Sequence, residues 1–346
     1  MGLLNNRKIL LVGGAGFIGH NLALKLKNEG AKVFIIDNLV QNNYYSLKRK
    51  ENPKLDNELY MFFIKQRLKL LEENDISLFE IDSREYQKMS EKVGELEVDS
   101  LIHLAAIAHA GKSNKNPYTT FDNSLRTLEN SLDITNGKST NIEHFIYFSS
   151  SMAYGHFPKG FVTEETLLNP IGIYGNLKLC GERMVIAYNQ VFDLPYTIVR
   201  PSALYGPRCI SRRVGQIFIE NAIKGKDIVI QGDGSDCLDF TYIEDLTDGI
   251  VNILTHEKAK GEIFNLTYGE SRSINQMAHI LAQHFTDIEI KYETRDKLMP
   301  IRGTLSVKKA KEMIGYNPRY PLEKGFVEYI NWYKSIIEAM ENQIHS

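Results

Sequence analysis

Lys8-Ile9-Leu10-Leu11-Val12-Gly13-Gly14-Ala15-Gly16-Phe17-Ile18-Gly19 is the stretch that decides the fold. Lys8–Val12 is a short apolar run suited to a central parallel strand, which is buried on both faces and needs no alternation. Past the glycines, residues 18–26 read as an amphipathic helix ending near Gly30. Lys32–Ile36 is a second buried strand, closed by Asp37. The order is strand, glycine turn, helix, strand, acid.

The glycines have separate jobs. Gly13 permits a tight turn, Gly16 lets backbone approach a diphosphate, and Gly19 allows the helix to pack closely on the strand. The helix N-terminus then offers free N–H groups and a positive dipole end to phosphates. Asp37 lies 18 residues after Gly19, near the ~20 expected of an acid that holds the adenosine ribose hydroxyls. A carboxylate there repels a 2′-phosphate, so NAD is expected rather than NADP.

Outward from this unit, strands are expected at 76–81, 101–106 and 145–150, with helices such as 117–133 between them. Repeated βα units give a Rossmann-type doubly wound α/β fold with a parallel sheet. Residues 41–74 are long for such a fold. The spacing of Leu59, Phe62, Phe63, Leu68, Leu70 and Leu71 predicts an added helix or helical hairpin, read as a surface insertion in preference to a substrate lid. Hydrophobic content of 43% and charged content of 24% suit a soluble globular protein, and a net charge of −2 gives no reason to expect nucleic acid as a partner. No apolar run approaches the roughly 18 residues of a membrane span. The first strand begins almost at once, with no room for a signal peptide. Cys180, Cys209 and Cys237 are widely spaced and odd in number, so no disulfide framework or metal site is indicated and a cytoplasmic location is expected.

Tyr174 and Lys178 stand four residues apart, about one helical turn, so phenol and ammonium project from one face. A cation beside a phenol favours the phenolate. Lowered from its ordinary ~10, such a phenol takes a proton from a sugar hydroxyl while hydride leaves the same carbon.

Together these residues resemble the extended short-chain dehydrogenase/reductase family, in particular its nucleotide-sugar epimerases, dehydratases and dehydrogenases, of which UDP-glucose 4-epimerase is one. The resemblance runs from about Lys8 to Trp332. It implies NAD contacts from Gly13, Gly16, Phe17, Ile18, Gly19, Asp37 and Asn38, an adenine contact at Asp82 and Ser83, and nicotinamide-side packing by Leu104, Ala105 and Ala106. It also places Asn123 near the active-site end of a helix. In Ser149-Ser150-Ser151-Met152-Ala153-Tyr154 the family's active hydroxyl falls four residues before the tyrosine, which selects Ser150. Ser150, Tyr174 and Lys178 are thus the expected catalytic set, with Tyr174 and Lys178 also touching the cofactor. Relatives that dehydrate at C4–C6 carry an acid two residues before that tyrosine; Met152 stands there, which ranks dehydration below epimerisation or simple oxidation. Glu164 and Glu165 read as a solvated edge.

In the second half, residues 200–208 and 231–240 resemble the family's substrate segments, but Ala203 and Leu238 replace polar residues that usually touch the substrate. Ser151, Arg208 and Arg302 are the substrate candidates, with Arg212 and Arg213 as further sources of charge for a diphosphate. His103 is expected in the core, and His109 on the substrate side. The expected organisation is an NAD-binding domain over 1–200 and a smaller mixed α/β substrate domain over 201–346, with 240–267 returning to the core. The resemblance further implies a homodimer. The leading expectation is a nucleotide-diphosphate-sugar epimerase acting through a transient 4-keto-sugar. A dehydrogenase or ketoreductase that releases the keto-sugar stands next, then a 4,6-dehydratase. An NAD-binding sensor without turnover is the non-enzymatic alternative.

Overall fold

A computed structural model describes residues 2–41, 44–50, 56–108, 110–137, 140–286 and 288–344. Its centre is a sheet of seven parallel strands. β1 (Lys8–Val12), β2 (Lys32–Ile36) and β3 (Ser77–Phe79) run outward on one side of β1. β4 (Ser100–His103), β5 (His144–Phe148), then Tyr196–Arg200 and Glu262–Asn265 run outward on the other. All six pairings are parallel. The chain reverses its direction of travel between β1 and β4, and the crevice at the carboxyl ends of those two strands is where such sheets take ligands. β1, β4 and β5 are almost entirely buried, which explains their unbroken apolar runs.

Three strands stop short of the expected bounds, β3 covering only Ser77–Phe79 of the expected 76–81. The apolar run 101–106 leaves the sheet after His103, and the Leu104 N–H still bonds the Val12 carbonyl at 2.8 Å before the chain turns into the crevice. The run 145–150 ends at Phe148, and Ser150 caps a short 3-10 turn, Ser151–Tyr154. The helix expected over 117–133 is divided. A π-helical turn, Asp122–Arg126, separates α-helical Pro117–Phe121 from Thr127–Thr135.

The helix Ile243–Thr255 packs its buried side, including Leu246 and Ile250, into the cluster that holds Leu22 and Leu26 of α1 (Phe17–Asn28). The strand Glu262–Asn265 follows at the sheet edge.

The insertion is not a surface addition. Within 41–74 lie α2 (Tyr44–Lys48) and α3 (Asn57–Glu73), and Asp56 caps α3 by accepting the Leu59 N–H at 3.1 Å. Leu59, Tyr60, Phe63, Ile64, Arg67 and Leu71 form its buried stripe. Leu59, Tyr60, Phe63 and Ile64 join a second core with Phe218, Met277, Phe326, Tyr329 and Tyr333, while Leu71 packs into the core around α1. The Phe63 ring lies 5.0 Å from Trp332 and 5.6 Å from Tyr333, centroid to centroid, both on the final helix Leu322–Ile344. Tyr60 and Tyr333 donate to the buried Glu220 at 2.8 and 3.0 Å, and Gln216 at 2.7 Å, so the carboxylate is satisfied by protein donors.

Truncating Phe63 tests whether α3 belongs to the core: Phe63→Ala should cost about 3–5 kcal/mol of unfolding free energy in urea titration. A cost under about 1 kcal/mol, the scale of a surface change, would contradict this packing.

Candidate active site

The site is assembled at the β1–β4 crevice. Gly13 has φ +81°, and a Cβ on it would lie 2.7 Å from the Ala105 nitrogen. A Cβ on Gly19 would lie 2.4 Å from the Gly14 carbonyl oxygen, so only hydrogen fits between helix and turn. Gly16 caps α1 without any side-chain oxygen, which leaves the helix N-terminus facing the crevice through backbone alone. Asp37 braces this turn from the end of β2, accepting the Ala15 N–H at 3.0 Å and the Leu39 N–H at 2.7 Å. Asn38 donates to Asp82 at 2.9 Å. Arg84, paired with Asp82 at 2.7 Å, holds that carboxyl down to about 2.

These parts enclose one cavity of about 530 Å³. The glycine turn with Phe17 and Ile18, the Asp37–Asn38 end of β2, Asp82–Ser83, the 104–106 segment and Asn123 all border it. Asn123 is carried on the π-helical turn, donates to the Thr119 carbonyl at 2.8 Å, and receives Gln41 at 3.4 Å. π turns recur at functional sites because they re-aim one side chain within a helix. Residues not anticipated from sequence also border the cavity: Arg67 on α3, Gln41, Lys112 and Thr127. A residue of full charge inside an apolar helical stripe was the available signal for Arg67.

Ser150, Tyr174 and Lys178 are not among the residues bordering that cavity. They lie beside the end of β5. Lys178 donates to the Phe148 carbonyl at 2.6 Å, and its Nζ lies 6.0 Å from the Tyr174 ring centroid and 5.1 Å from that of Tyr147. Tyr174 and Lys178 both sit near the start of the helix Gly172–Phe192. Burial pushes the Lys178 ammonium down to about 8, against the pull of Glu182 one turn further on. Ser150 is 8% exposed, and its Oγ accepts the Met152 N–H at 3.2 Å. Beneath them lies a closed polar network. Arg200 grips Glu182 with two bonds of 2.9 and 2.7 Å, both side chains fully buried, and donates to Tyr154 at 3.0 Å. Tyr154 in turn donates to Asn265 at 2.8 Å, and Ser149 donates to Glu182. The bidentate fork fixes the helix Gly172–Phe192 against the Tyr196–Arg200 strand. His103 is buried as expected, and burial together with the Lys178 charge lowers it to about 3.

The substrate candidates divide. Ser151 is buried and bonds Ser202 at 3.2 Å. Arg208 turns away from the substrate half to donate to His20 at 3.0 Å and Asn21 at 3.2 Å, both on the first turns of α1. Arg302 is lowered to about 10 by burial and by the Arg213 charge, while Asp236 opposes the shift, and its Nε has no hydrogen-bond partner among the described residues. Arg212 and Arg213 border the cavity. Glu164 is not a solvated edge, because its Oε1 accepts the Asn265 N–H at 2.8 Å and burial raises its carboxyl. His109 lies outside the described residues. Among the described residues no His, Cys, Asp and Glu group could hold a metal ion, and no helix is long and apolar enough to cross a membrane.

A parallel doubly wound sheet, a glycine turn that tolerates no Cβ, and a brace by Asp37 define a dinucleotide-binding α/β protein. Residues 9–267 match the model of the NAD dependent epimerase/dehydratase family, and the chain belongs to that family. Its resemblance to extended short-chain dehydrogenases/reductases therefore holds, and NAD is the cofactor, which the crevice fits. The chain is 31% identical over 338 residues to YtcB of Bacillus subtilis (strain 168), an uncharacterized UDP-glucose epimerase, covering 96% of this chain and 99% of that one. Identity to a UDP-glucuronate 4-epimerase of Thermodesulfobacterium geofontis is 27% over 346 residues, covering 96% and 98%. Among solved structures, the Bacillus cereus UDP-glucuronic acid 4-epimerase bound to UDP-glucuronic acid and NAD superposes with a TM-score of 0.83 at 26% identity, covering 95% of this chain and 99% of that one.

Asp37 also sets cofactor choice if its carboxylate repels a 2′-phosphate. Asp37→Ser should narrow the ratio of NADP to NAD dissociation constants at least about tenfold by calorimetry, since a like charge at close range is worth over ~1 kcal/mol. An unchanged ratio would remove that role.

Proposed function

We propose that this chain epimerises a UDP-activated sugar at C4. Support comes from similar proteins that are UDP-sugar 4-epimerases, and from one geometric observation: a buried lysine held beside Tyr174 at the end of the strand next to the cofactor crevice. The bound cofactor supplies hydride acceptance and return. Tyr174 takes the C4 hydroxyl proton and later gives it back. Lys178 stabilises the phenolate, and Ser150 hydrogen-bonds the oxygen as it becomes a carbonyl. Turning the keto-sugar between the two transfers inverts C4 with no net redox change. Ser151, Arg302 and Arg213 are assigned to the nucleotide-sugar side, where the orphan Nε of Arg302 suits a phosphate oxygen. We assign 1–200 to cofactor binding and 201–346 mainly to the substrate, in a cytoplasmic homodimer.

Incubation with UDP-, GDP- and dTDP-sugars, followed by NMR and by absorbance at the NADH band, decides the reaction. A C4 isomer without NADH is expected. Stoichiometric NADH would favour a dehydrogenase, a 6-deoxy-4-keto product a dehydratase, and no product a sensor. Tyr174→Phe should lower kcat by roughly 10²–10⁴-fold while NAD affinity stays unchanged. Near-normal turnover would remove Tyr174 as the base.

Lys178 gives a stability test with a definite sign. Its folded value of about 8 lies below the ordinary 10.5, so the folded chain binds fewer protons than the unfolded one between those values. Its contribution to stability is therefore unfavourable at neutral pH and improves as pH rises from about 8 to 10.5. The unfolding free energy of wild type minus that of Lys178→Met should rise between pH 7 and pH 10. A flat or falling difference in urea titrations would contradict a desolvated ammonium.

A further inference from the structure

The helix Gly172–Phe192 carries Tyr174 in its first turn, and the residue before it supplies no cap. Ile171 stands there and makes no side-chain bond to the helix. The leading N–H groups of a helix have no partner inside it and take one from elsewhere. The Ile173 N–H, next to Tyr174, is taken by Asn114, whose Oδ1 accepts it at 3.1 Å from 59 residues earlier in the chain.

The backbone around that bond is shaped to it. Gly172 stands at φ +74°, and a Cβ on it would lie 3.2 Å from the same Asn114 oxygen. Glycine alone combines that conformation with room for the asparagine. Asn176 braces the turn from within the helix, donating to the Gly172 carbonyl at 2.8 Å and to the Pro170 carbonyl at 3.3 Å. Asn114 itself belongs to the short helix Ala110–Lys115, and the chain just before that helix, 104–108, borders the cofactor cavity. One hydrogen bond thus ties the start of the Tyr174 helix to the segment that forms the cavity wall. Lys178 has a separate anchor one turn further in, the Phe148 carbonyl at 2.6 Å. Helix ends fray, and a phenol in a frayed first turn loses its fixed distance to the reacting carbon.

We propose that Asn114 is a positioning residue for Tyr174, capping the helix Gly172–Phe192 from the cavity-wall segment and so fixing where the phenol stands relative to the cofactor. The proposal rests on Tyr174 acting as the base of C4 epimerisation.

The test uses the full chain, isotopically labelled at isoleucine nitrogen, with Ile173→Val assigning the Ile173 amide. In Asn114→Ala that amide should exchange with solvent roughly fivefold faster, the scale of a lost cap, while Asn114→Asp, which keeps the acceptor, stays within about twofold of wild type. On the nucleotide sugar that wild type converts, kcat should fall about 3- to 10-fold in the alanine variant, with KM and the NAD dissociation constant unchanged, and recover in the aspartate variant. Asn114 is exposed and alanine favours a helix, so the variants leave the core and the helix Ala110–Lys115 intact. Unchanged exchange at Ile173 would mean no cap, and faster exchange with unchanged kcat would mean a purely structural one; either overturns the proposal. Loss of NAD affinity in step with kcat would overturn it too, as would an aspartate variant that recovers neither exchange nor kcat. Wild type that converts no sugar would instead sink the C4 reading, and the positioning role with it, while exchange at Ile173 still reports the cap.

Discussion

Everything at the site follows from how closely two backbone turns approach where the sheet reverses. The end of β1 passes the 104–106 segment with no room for a side chain at Gly13, and α1 starts against the same turn with no room for one at Gly19. Those contacts fix the direction of the α1 N-terminus, the depth of the crevice and the position of Leu104 to Ala106 along its wall. A methyl group at either glycine would force backbone against backbone, which side-chain rearrangement cannot relieve. Asp37 then locks the turn with its own carboxylate. Cofactor geometry is therefore set by main chain and by one acid, before any substrate residue is considered.

The helix Gly172–Phe192, which carries Tyr174 and Lys178, is fixed by a different kind of constraint. Glu182 and Arg200 bury a bidentate ion pair, to which Ser149 donates and from which Tyr154 and the Glu164 carbonyl accept, Tyr154 in turn donating to Asn265. Removing one partner would strand a charge in the interior, so the pair holds register strictly even where its net contribution to stability is small. Lys178 lies one turn from Glu182 and bonds the last carbonyl of β5. Its ammonium is thus held in a dry place, and such a lysine gives up its proton more readily than one in water.

Much of this was legible in the sequence where the determinants are local. β1 and β2 were readable to the residue, because unbroken apolar runs between glycine and acid leave no alternative period. Ser273 caps the helix Ile274–Ala282, with both halves of a capping box formed with Gln276, another determinant that lies within one turn. What could not be read were pairings across long separations. Nothing near Arg200 announces Glu182, and nothing near Arg67 announces Ala15 or Arg208. The run 104–106 looks like strand because it is apolar, yet it is apolar in order to line a crevice. Arg208 was readable as a charge in a substrate-like segment, but only its reach to His20 and Asn21 shows which half of the molecule it serves.

The packing of α3 also governs the order in which the molecule can be completed. Phe63 leaves the ribosome early, but its ring is covered by Trp332 and Tyr333, which are synthesised 270 residues later in the case of Tyr333. At translation speeds of about 5–20 residues per second, that interval is roughly 15–50 s. Throughout it the nascent chain carries an aromatic stripe not yet covered by these rings, with a charge embedded in it, so the second core closes only once Leu322–Ile344 has emerged. The helix Leu322–Ile344 is therefore the clasp of that core.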